Sequence, residues 1–97
     1  MNLDVLKVRR SLFQWFSKVD FYEGSKKMKV GKITDVSIAQ IECLSSNNLN
    51  CKIYGKANIE FLKEDGTFTE FLGFNAYVRI NTNSEIEFAD RINIVTY

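Results

Sequence analysis

The sequence predicts an α+β domain in which one N-terminal helix packs on a curled four-stranded antiparallel meander. Three observations support this fold class. Apolar residues recur at steps of three and four up to residue 19, a period typical of an amphipathic helix. After Ile33 the apolar period changes to two, as in a strand with one buried face. Segments rich in Asn, Asp and Gly then separate the alternating runs, and such segments form turns.

The predicted helix covers residues 3–19. Its apolar stripe is formed by Val5, Val8, Leu12, Trp15, Phe16 and Val19. Asn2 can cap the first turn, and Asp4 falls within that turn, where the helix dipole favours negative charge. We expect the stripe to pack on the sheet, with Trp15 or Phe16 among its principal anchors.

Four strands are predicted after the helix. The first, "ITDVSIAQIECL", contains a phase slip that a bulge near Ala39 and Gln40 would repair. The segment "KEDG" predicts a hairpin between the second and third strands, because glycine tolerates a positive φ. The last strand is expected to place Ile86, Phe88, Ile92 and Ile94 on the buried face. A sheet of long, twisted strands can curl round a single helix and bury its stripe.

The run "YGKANIEFLKEDGTFTEFLGFNAYVRIN", followed by "EIEFADRINIV", resembles the cystatin-like group, which includes the cone-shaped nuclear-transport-factor-like domains. The resemblance covers about residues 30 to 95. It implies a sheet curled round a helix and, in related domains, dimers formed sheet to sheet. Members of the cone type also use acidic residues inside a cavity. The Gln-x-Val-x-Gly hairpin of the cystatin inhibitors is absent from this sequence.

Length and charge limit the functional classes. A chain of 97 residues supports one domain, residues 1–97. The net charge of +1 gives no general attraction to nucleic acid or to membranes, so neither is an expected partner. No apolar run approaches the length needed to span a bilayer. Charged residues interrupt the N-terminal apolar pattern, whereas the apolar region of a signal peptide is continuous. These features predict a cytoplasmic location.

Histidine is absent from the sequence. Its absence excludes histidine-based acid–base chemistry and most zinc sites, so we predict a protein that is not an enzyme and needs no cofactor or metal. Cys43 and Cys51 flank a predicted turn. They could form a cross-hairpin disulfide in an oxidising compartment, but in the cytoplasm two small buried thiols are the favoured interpretation.

Glu70 and Asp90 are the candidates for a pocket. Glu70 shares strand parity with Phe68, and Asp90 shares it with Phe88, so both carboxylates should point towards the core. In the concave mouth of a curled sheet, burial would raise the pKa of such a group and suit it to general acid or base work. The alternative is a bulge, or a position beyond the edge of the core, that leaves each side chain in solvent.

The lysine-rich loop after the helix is a candidate anion contact. Lys26, Lys27 and Lys29 follow the aromatic pair Phe21 and Tyr22, a combination that could touch phosphates or an acidic protein. Because the whole chain is nearly neutral, a solvated surface is the favoured interpretation of these lysines.

The outer face of the sheet carries more apolar surface than solvation alone explains. The residues predicted to face outward and to form a protein interface are Phe71, Tyr77, Arg79, Val95 and Tyr97. Large exposed apolar patches mark interfaces. The predicted function is therefore a non-enzymatic protein-binding or assembly module, with a second copy as the simplest partner. Small phage or plasmid adaptors and inhibitors have this profile. The alternative is a small-ligand domain, or an enzyme, with Glu70 and Asp90 in a concave pocket.

Overall fold

The computed structural model describes residues 3–44 and 50–95 and forms one helix and six strands there. Their bounds are α1 Val5–Trp15, β1 Asp20–Glu23, β2 Lys26–Met28, β3 Val30–Cys43, β4 Asn50–Lys63, β5 Gly66–Ile80 and β6 Ile86–Val95. The predicted four-stranded antiparallel meander is therefore wrong. The strands form one mixed sheet in the order β2-β1-β6-β5-β4-β3, in which β1 pairs in parallel with β6. Strands β3 to β6 alone pair as an antiparallel meander.

The two strands that the sequence pattern missed are short. β1 and β2 have four and three residues, too few for an alternating pattern to show. Gly24, at φ +62°, lies in the turn that joins them, a conformation in which glycine avoids the clash of a side chain. Phe21 of β1 is buried, with its ring 5.7 Å from that of Phe16. This contact fixes the short hairpin to the core.

The sheet curls so that the end of one edge strand lies beside the start of the other. β2 and β3 stand at opposite ends of the strand order, yet only Lys29 separates them in the chain. The helix packs across the curl. Its Arg9 Nε donates a hydrogen bond to the Val36 carbonyl of β3. Its Trp15 Nε1 donates one of 3.0 Å to the Ile86 carbonyl of β6. The helix therefore connects strands that are three positions apart in the sheet.

The helix is shorter than the apolar period predicts. It begins after Asp4, whose side chain accepts a hydrogen bond from the Lys7 amide, so Asp4 is the N-cap. The predicted cap, Asn2, lies outside the described residues. The helix ends at Trp15 because the chain must turn there to begin β1 at Asp20. This helix is too short to span a bilayer, and no other helix occurs in residues 3–44 and 50–95.

One hydrophobic core lies between the helix and the sheet. Its largest fully enclosed side chains are Phe74, Leu12, Ile53, Ile59, Ile80, Ile92, Val8 and Cys51. Phe16, expected as an anchor, is buried, and its ring meets that of Phe74 edge to face at 5.6 Å. Gly55 makes this packing possible. A Cβ there would lie 2.8 Å from the Phe74 ring and would also strike the Ser37 carbonyl, so only glycine fits without movement.

The turn between β5 and β6 fixes the start of the helix. Asn81 Oδ1 accepts hydrogen bonds from the amides of Asn83 and Glu85, at 2.9 and 3.0 Å. Ser84 is buried in this turn, and its Oγ accepts a 2.9 Å hydrogen bond from the Asp4 amide. The N-terminus of the helix is thereby held against the last turn of the sheet.

Candidate functional site

A bulge between β5 and β6 decides which side chains reach the surface. One β5 residue, Tyr77, stands opposite two β6 residues, Asp90 and Arg91. An extra residue in one strand shifts its side-chain alternation by one position. As a result Ala89 is buried, whereas Phe88 and Asp90 are exposed. The predictions that Phe88 and Asp90 point towards the core are therefore wrong.

Exposed apolar side chains converge on a groove at the disulfide end of the sheet. Leu44, Tyr77 and Phe88 are 78%, 50% and 54% exposed. The groove has a volume of about 280 Å³ and is lined by Leu44, Asn50, Cys51, Tyr77, Val78, Arg79, Phe88 and Asp90. We call it the disulfide-end groove. One cation, Arg79, and one anion, Asp90, flank its apolar surface, so it offers contacts to both signs of charge.

A disulfide between Cys43 and Cys51 stabilises one wall of this groove. The two cysteines stand directly opposite each other on β3 and β4. Of the two alternatives that the sequence left open, the structure contains the cross-hairpin disulfide and not the two thiols. Beyond it, the Leu44 amide donates a 2.7 Å hydrogen bond to the Asn50 carbonyl. These bonds fix the chain from which Leu44 reaches the groove.

Lys52 of β4 holds the aromatic ring of Tyr77 in place. Its Nζ lies 5.1 Å from the centre of the Tyr77 ring and 5.0 Å from that of Tyr54. Hydrogen bonding to Tyr54, and then to Tyr77, raises the pKa of Lys52 above its usual value. A cation held against an aromatic face attracts it electrostatically. Tyr77 therefore has an attractive contact with a lysine on the neighbouring strand.

The structure divides the predicted interface residues between two places. Tyr77 and Arg79 line the disulfide-end groove. Phe71 is 56% exposed on the same face but lies six residues away on β5, or about 20 Å at the usual rise per residue. Val95 is half-buried opposite Gly73. The fifth predicted residue, Tyr97, lies outside the described residues.

Sequence reasoning missed two of the three exposed apolar residues of the groove. Leu44 was assigned to the end of a strand, and no residue pattern marked it as exposed. Phe88 was assigned to the core by its alternation with Ile86 and Ile92, but the bulge opposite Tyr77 separates it from Ile92 and a second register shift separates it from Ile86. The local signal for the bulge opposite Tyr77 was the pair of consecutive charges, Asp90 and Arg91, inside an otherwise alternating strand. A core strand rarely buries either of two adjacent charges without a partner.

Glu70 and Asp90 do not come together. Glu70 stands opposite Ile59, on the face that the sequence predicts, but it is exposed because it lies beyond the covered part of the core. Asp90 stands opposite Tyr77, seven residues from Glu70 along β5, or about 23 Å. The shared concave pocket suggested by these two carboxylates is therefore absent.

The lysine-rich segment forms a strand and part of a broad cleft. Lys26 and Lys29 line this cleft with Lys63, but Glu64 and Asp65 from the hairpin tip line it too. The third predicted anion contact, Lys27, forms an ion pair with Asp20, at 3.3 Å between Nζ and Oδ1. The cleft has nearly balanced charge, which gives phosphate little preference for it.

The described part of the chain, residues 3–44 and 50–95, contains no group of three Asp, Glu or Cys side chains that could hold a metal ion. Comparisons with protein-family models, with curated proteins and with solved structures found no match to this chain. The resemblance to the cystatin-like group stays a prediction.

Proposed function

We propose that this chain is a non-enzymatic protein-binding module that docks a partner protein in the disulfide-end groove on the outer face of its sheet. The observation that carries the proposal is the convergence of three exposed apolar side chains, Leu44, Tyr77 and Phe88, on one groove. Tyr and Arg are enriched among the residues that dominate interface energies, and Tyr77 stands beside Arg79 here. A small adaptor or inhibitor of a larger assembly would act in this way.

The exposed lining of the groove favours a protein partner over a small ligand. Its volume, about 280 Å³, lies at the low end of the range for small-ligand pockets, and its apolar side chains Leu44, Tyr77 and Phe88 are at least half exposed. Its apolar surface suits one anchoring side chain of a partner, Leu or an aromatic residue. Arg79 and Asp90 would then bind an acidic and a basic residue beside that anchor. The alternative of an enzyme or small-ligand domain built on Glu70 and Asp90 receives no support from their positions.

The compartment is part of the same proposal. Disulfides persist in oxidising compartments and are rare in the cytoplasm. The Cys43–Cys51 disulfide therefore favours an oxidising compartment over the cytoplasmic location predicted from the sequence. Acid quenching of native host cells, followed by labelling of free thiols, measures this directly. Two labelled cysteines per chain would show that both thiols are free, and would support the cytoplasmic location instead.

Affinity purification with matched variants tests the binding function. The variant Leu44→Glu/Tyr77→Glu places charge in the groove at two exposed positions and should leave the fold intact. Phe13→Glu is the control, because Phe13 is a similarly exposed aromatic residue, 50%, on α1. The wild type and the control should recover the same partner in constant ratio, and the groove variant should lose it. A partner that the groove variant retains, or no partner at all, would rule out the proposal.

A further inference from the structure

The two cysteines of the Cys43–Cys51 disulfide lie in different surroundings. Cys43 is exposed and lies on the edge strand β3. Cys51 is 2% exposed and lies on β4, between Cys43 of β3 and Val78 of β5. The rate at which a thiol exchanges with a disulfide depends on which sulfur it attacks and on access to that sulfur. A reagent that approaches from solvent therefore meets the Cys43 side of the bond.

The end of β3 that carries Cys43 buries little apolar surface. A register shift between Ile38 and Gln40 separates residues 40–43 from the rest of the strand. Among these four residues Ile41 is half-buried and the other three are exposed. The Gln40 side chain donates a 2.9 Å hydrogen bond to Glu42 of the same strand, so that bond does not hold β3 to β4. Segments with few buried apolar contacts open locally at a low free energy. The disulfide is the covalent bond that keeps this segment on β4.

Leu44 connects this end of β3 with the disulfide-end groove. It follows Cys43 directly, and it lines the groove together with Cys51. The other two exposed apolar side chains of the groove, Tyr77 and Phe88, lie on β5 and β6. Opening of the disulfide would therefore release one of the three exposed apolar side chains of the groove and leave the other two in place.

We propose that Cys43 is a site of thiol–disulfide exchange, at which a dithiol reductant opens the disulfide and releases Leu44 from the groove. The oxidised chain has the complete groove, and the reduced chain lacks one wall of it. The redox state of the two cysteines thereby controls docking in the groove. This control of docking rests on the proposed function, whereas the exchange at Cys43 does not.

The exchange has two steps. One thiolate of the dithiol attacks the Cys43 sulfur and forms a mixed disulfide, while the bond to Cys51 breaks. The electron pair of that bond leaves with the Cys51 sulfur, which takes up a proton. The second thiolate attacks the reductant's own sulfur in the mixed disulfide and displaces Cys43, which is protonated in turn. Two electrons have then passed to the chain, and the dithiol has become a disulfide. Because the two cysteines stand opposite each other in the ladder, the reverse exchange can close the bond again.

Trapping of the mixed disulfide tests the site of attack. Wild-type protein treated with glutathione and quenched in acid should carry the adduct on Cys43, as measured by mass spectrometry of its peptides. In the matched variants Cys51→Ala and Cys43→Ala, the remaining Cys43 should react with iodoacetamide on the order of tenfold or more faster than the remaining Cys51. An adduct mainly on Cys51, or equal rates in the two folded variants, overturns the proposal. So does a disulfide that dithiothreitol leaves closed in the native protein.

Hydrogen exchange tests the local opening. The Leu44 amide donates a 2.7 Å hydrogen bond to the Asn50 carbonyl. The control is the amide of Leu62, at the other end of β4, which donates a 3.0 Å hydrogen bond to the Lys29 carbonyl. On reduction by dithiothreitol, exchange at Leu44 should accelerate on the order of tenfold or more relative to exchange at Leu62. No acceleration at Leu44 overturns the proposal, and so does equal acceleration at both, which would indicate a general loss of stability.

Affinity purification separates the redox site from the proposed function. The variant Cys43→Ala/Cys51→Ala leaves the bond permanently open. It should bind the partner that the oxidised wild type recovers with a dissociation constant higher on the order of tenfold, because the contact of Leu44 is lost. Equal binding would overturn the control of docking and leave the groove as the docking site. Recovery of no partner by the oxidised wild type would refute the proposed function and with it the control of docking, whereas the adduct and exchange results decide the Cys43 site on their own.

Discussion

The two halves of β5 follow the same alternation and differ in what covers them. Between Gly73 and Ile80 the inward side chains are all buried: Phe74, Ala76, Val78 and Ile80. Between Thr67 and Leu72 the side chains on that face are half-buried or, in Glu70, exposed. Among the residues that the structure describes, the first half pairs with both β4 and β6, whereas the second pairs with β4 alone. Alternation therefore determines which face a side chain takes, and the neighbouring elements determine whether it is buried.

The largest expected difference between the halves comes from truncating one phenylalanine in each. Phe74→Ala should lower the free energy of unfolding by about 3–5 kcal/mol, because it leaves a cavity beside Phe16. Phe71→Ala should change it by about 0.5 kcal/mol or less, as at an ordinary surface position. Chemical denaturation of both variants measures this. Similar losses for the two would mean that Thr67–Leu72 is as well covered as Gly73–Ile80.

Reduction of the Cys43–Cys51 disulfide should have the next largest effect. The cysteines are separated by eight positions, and opening a loop of that size lowers the free energy of unfolding by about 2.5 kcal/mol. Thermal unfolding with and without a phosphine reductant measures the loss. The double variant Cys43→Ala/Cys51→Ala is the control and should not respond to the reductant. An unchanged melting temperature of the wild type would contradict the expectation.

Alanine substitutions at two glycines compare a tightly packed position with a loosely packed one. Gly55→Ala forces a Cβ against the Phe74 ring and the backbone of Ser37, and should lower the free energy of unfolding by about 1–3 kcal/mol. Gly31→Ala meets the end of the flexible Glu60 side chain, which can move aside, so its effect should be smaller. In a denaturant titration, Gly55→Ala should unfold at a lower midpoint concentration than Gly31→Ala. The reverse order would contradict the packing described for these glycines.

The N-cap of the helix, Asp4, should contribute about as much to the free energy of unfolding as N-caps do in other proteins. Asp4→Ala removes the acceptor of the Lys7 amide and should lower the free energy of unfolding by about 1 kcal/mol. Asp4→Asn keeps an acceptor and should cost only a few tenths of that amount. Equal losses for both variants, measured by urea denaturation, would indicate that the charge of Asp4 and not its hydrogen bond matters.

Glu70→Gln should have the smallest effect, because the side chain is exposed on β5. We expect a change in the free energy of unfolding within about 0.5 kcal/mol. A much larger loss, measured by urea denaturation, would place this carboxylate in a buried site, as the pocket interpretation required.

The β4–β5 hairpin and the faces of the β5 side chains could be predicted from the sequence, because a glycine-containing turn and period-two alternation are local signals. β1 and β2 could not, because three or four residues carry no period. Their position depends on Phe21 packing against Phe16, a tertiary contact. The exposure of Glu70 was also beyond prediction, since side-chain alternation does not show how far the core extends along β5.

Two of the eight residues that line the groove could be predicted as interface residues. Alternation along β5 placed Tyr77 and Arg79 outward, and both line the groove. Phe88 was assigned to the wrong face because a bulge in β6 reverses the alternation before Ile92. Leu44 follows the last residue of β3, and its exposure depends on how the hairpin ends. A search for bulges at adjacent charged residues would have recovered Phe88 but not Leu44.

The hydrogen bond from Trp15 to Ile86 spans 71 positions, and the one from Asp4 to Ser84 spans 80. Contacts between such distant residues require closure of a long loop, so they form late in folding. We expect the antiparallel pairs of β3 to β5 to form first, with folding rates little affected by Leu12→Ala. Kinetic measurements on that variant test this. During synthesis, the helix can therefore reach Val36 of β3 early, whereas its hydrogen bonds with Ser84 and Ile86 must wait until the β5–β6 turn and β6 have left the ribosome.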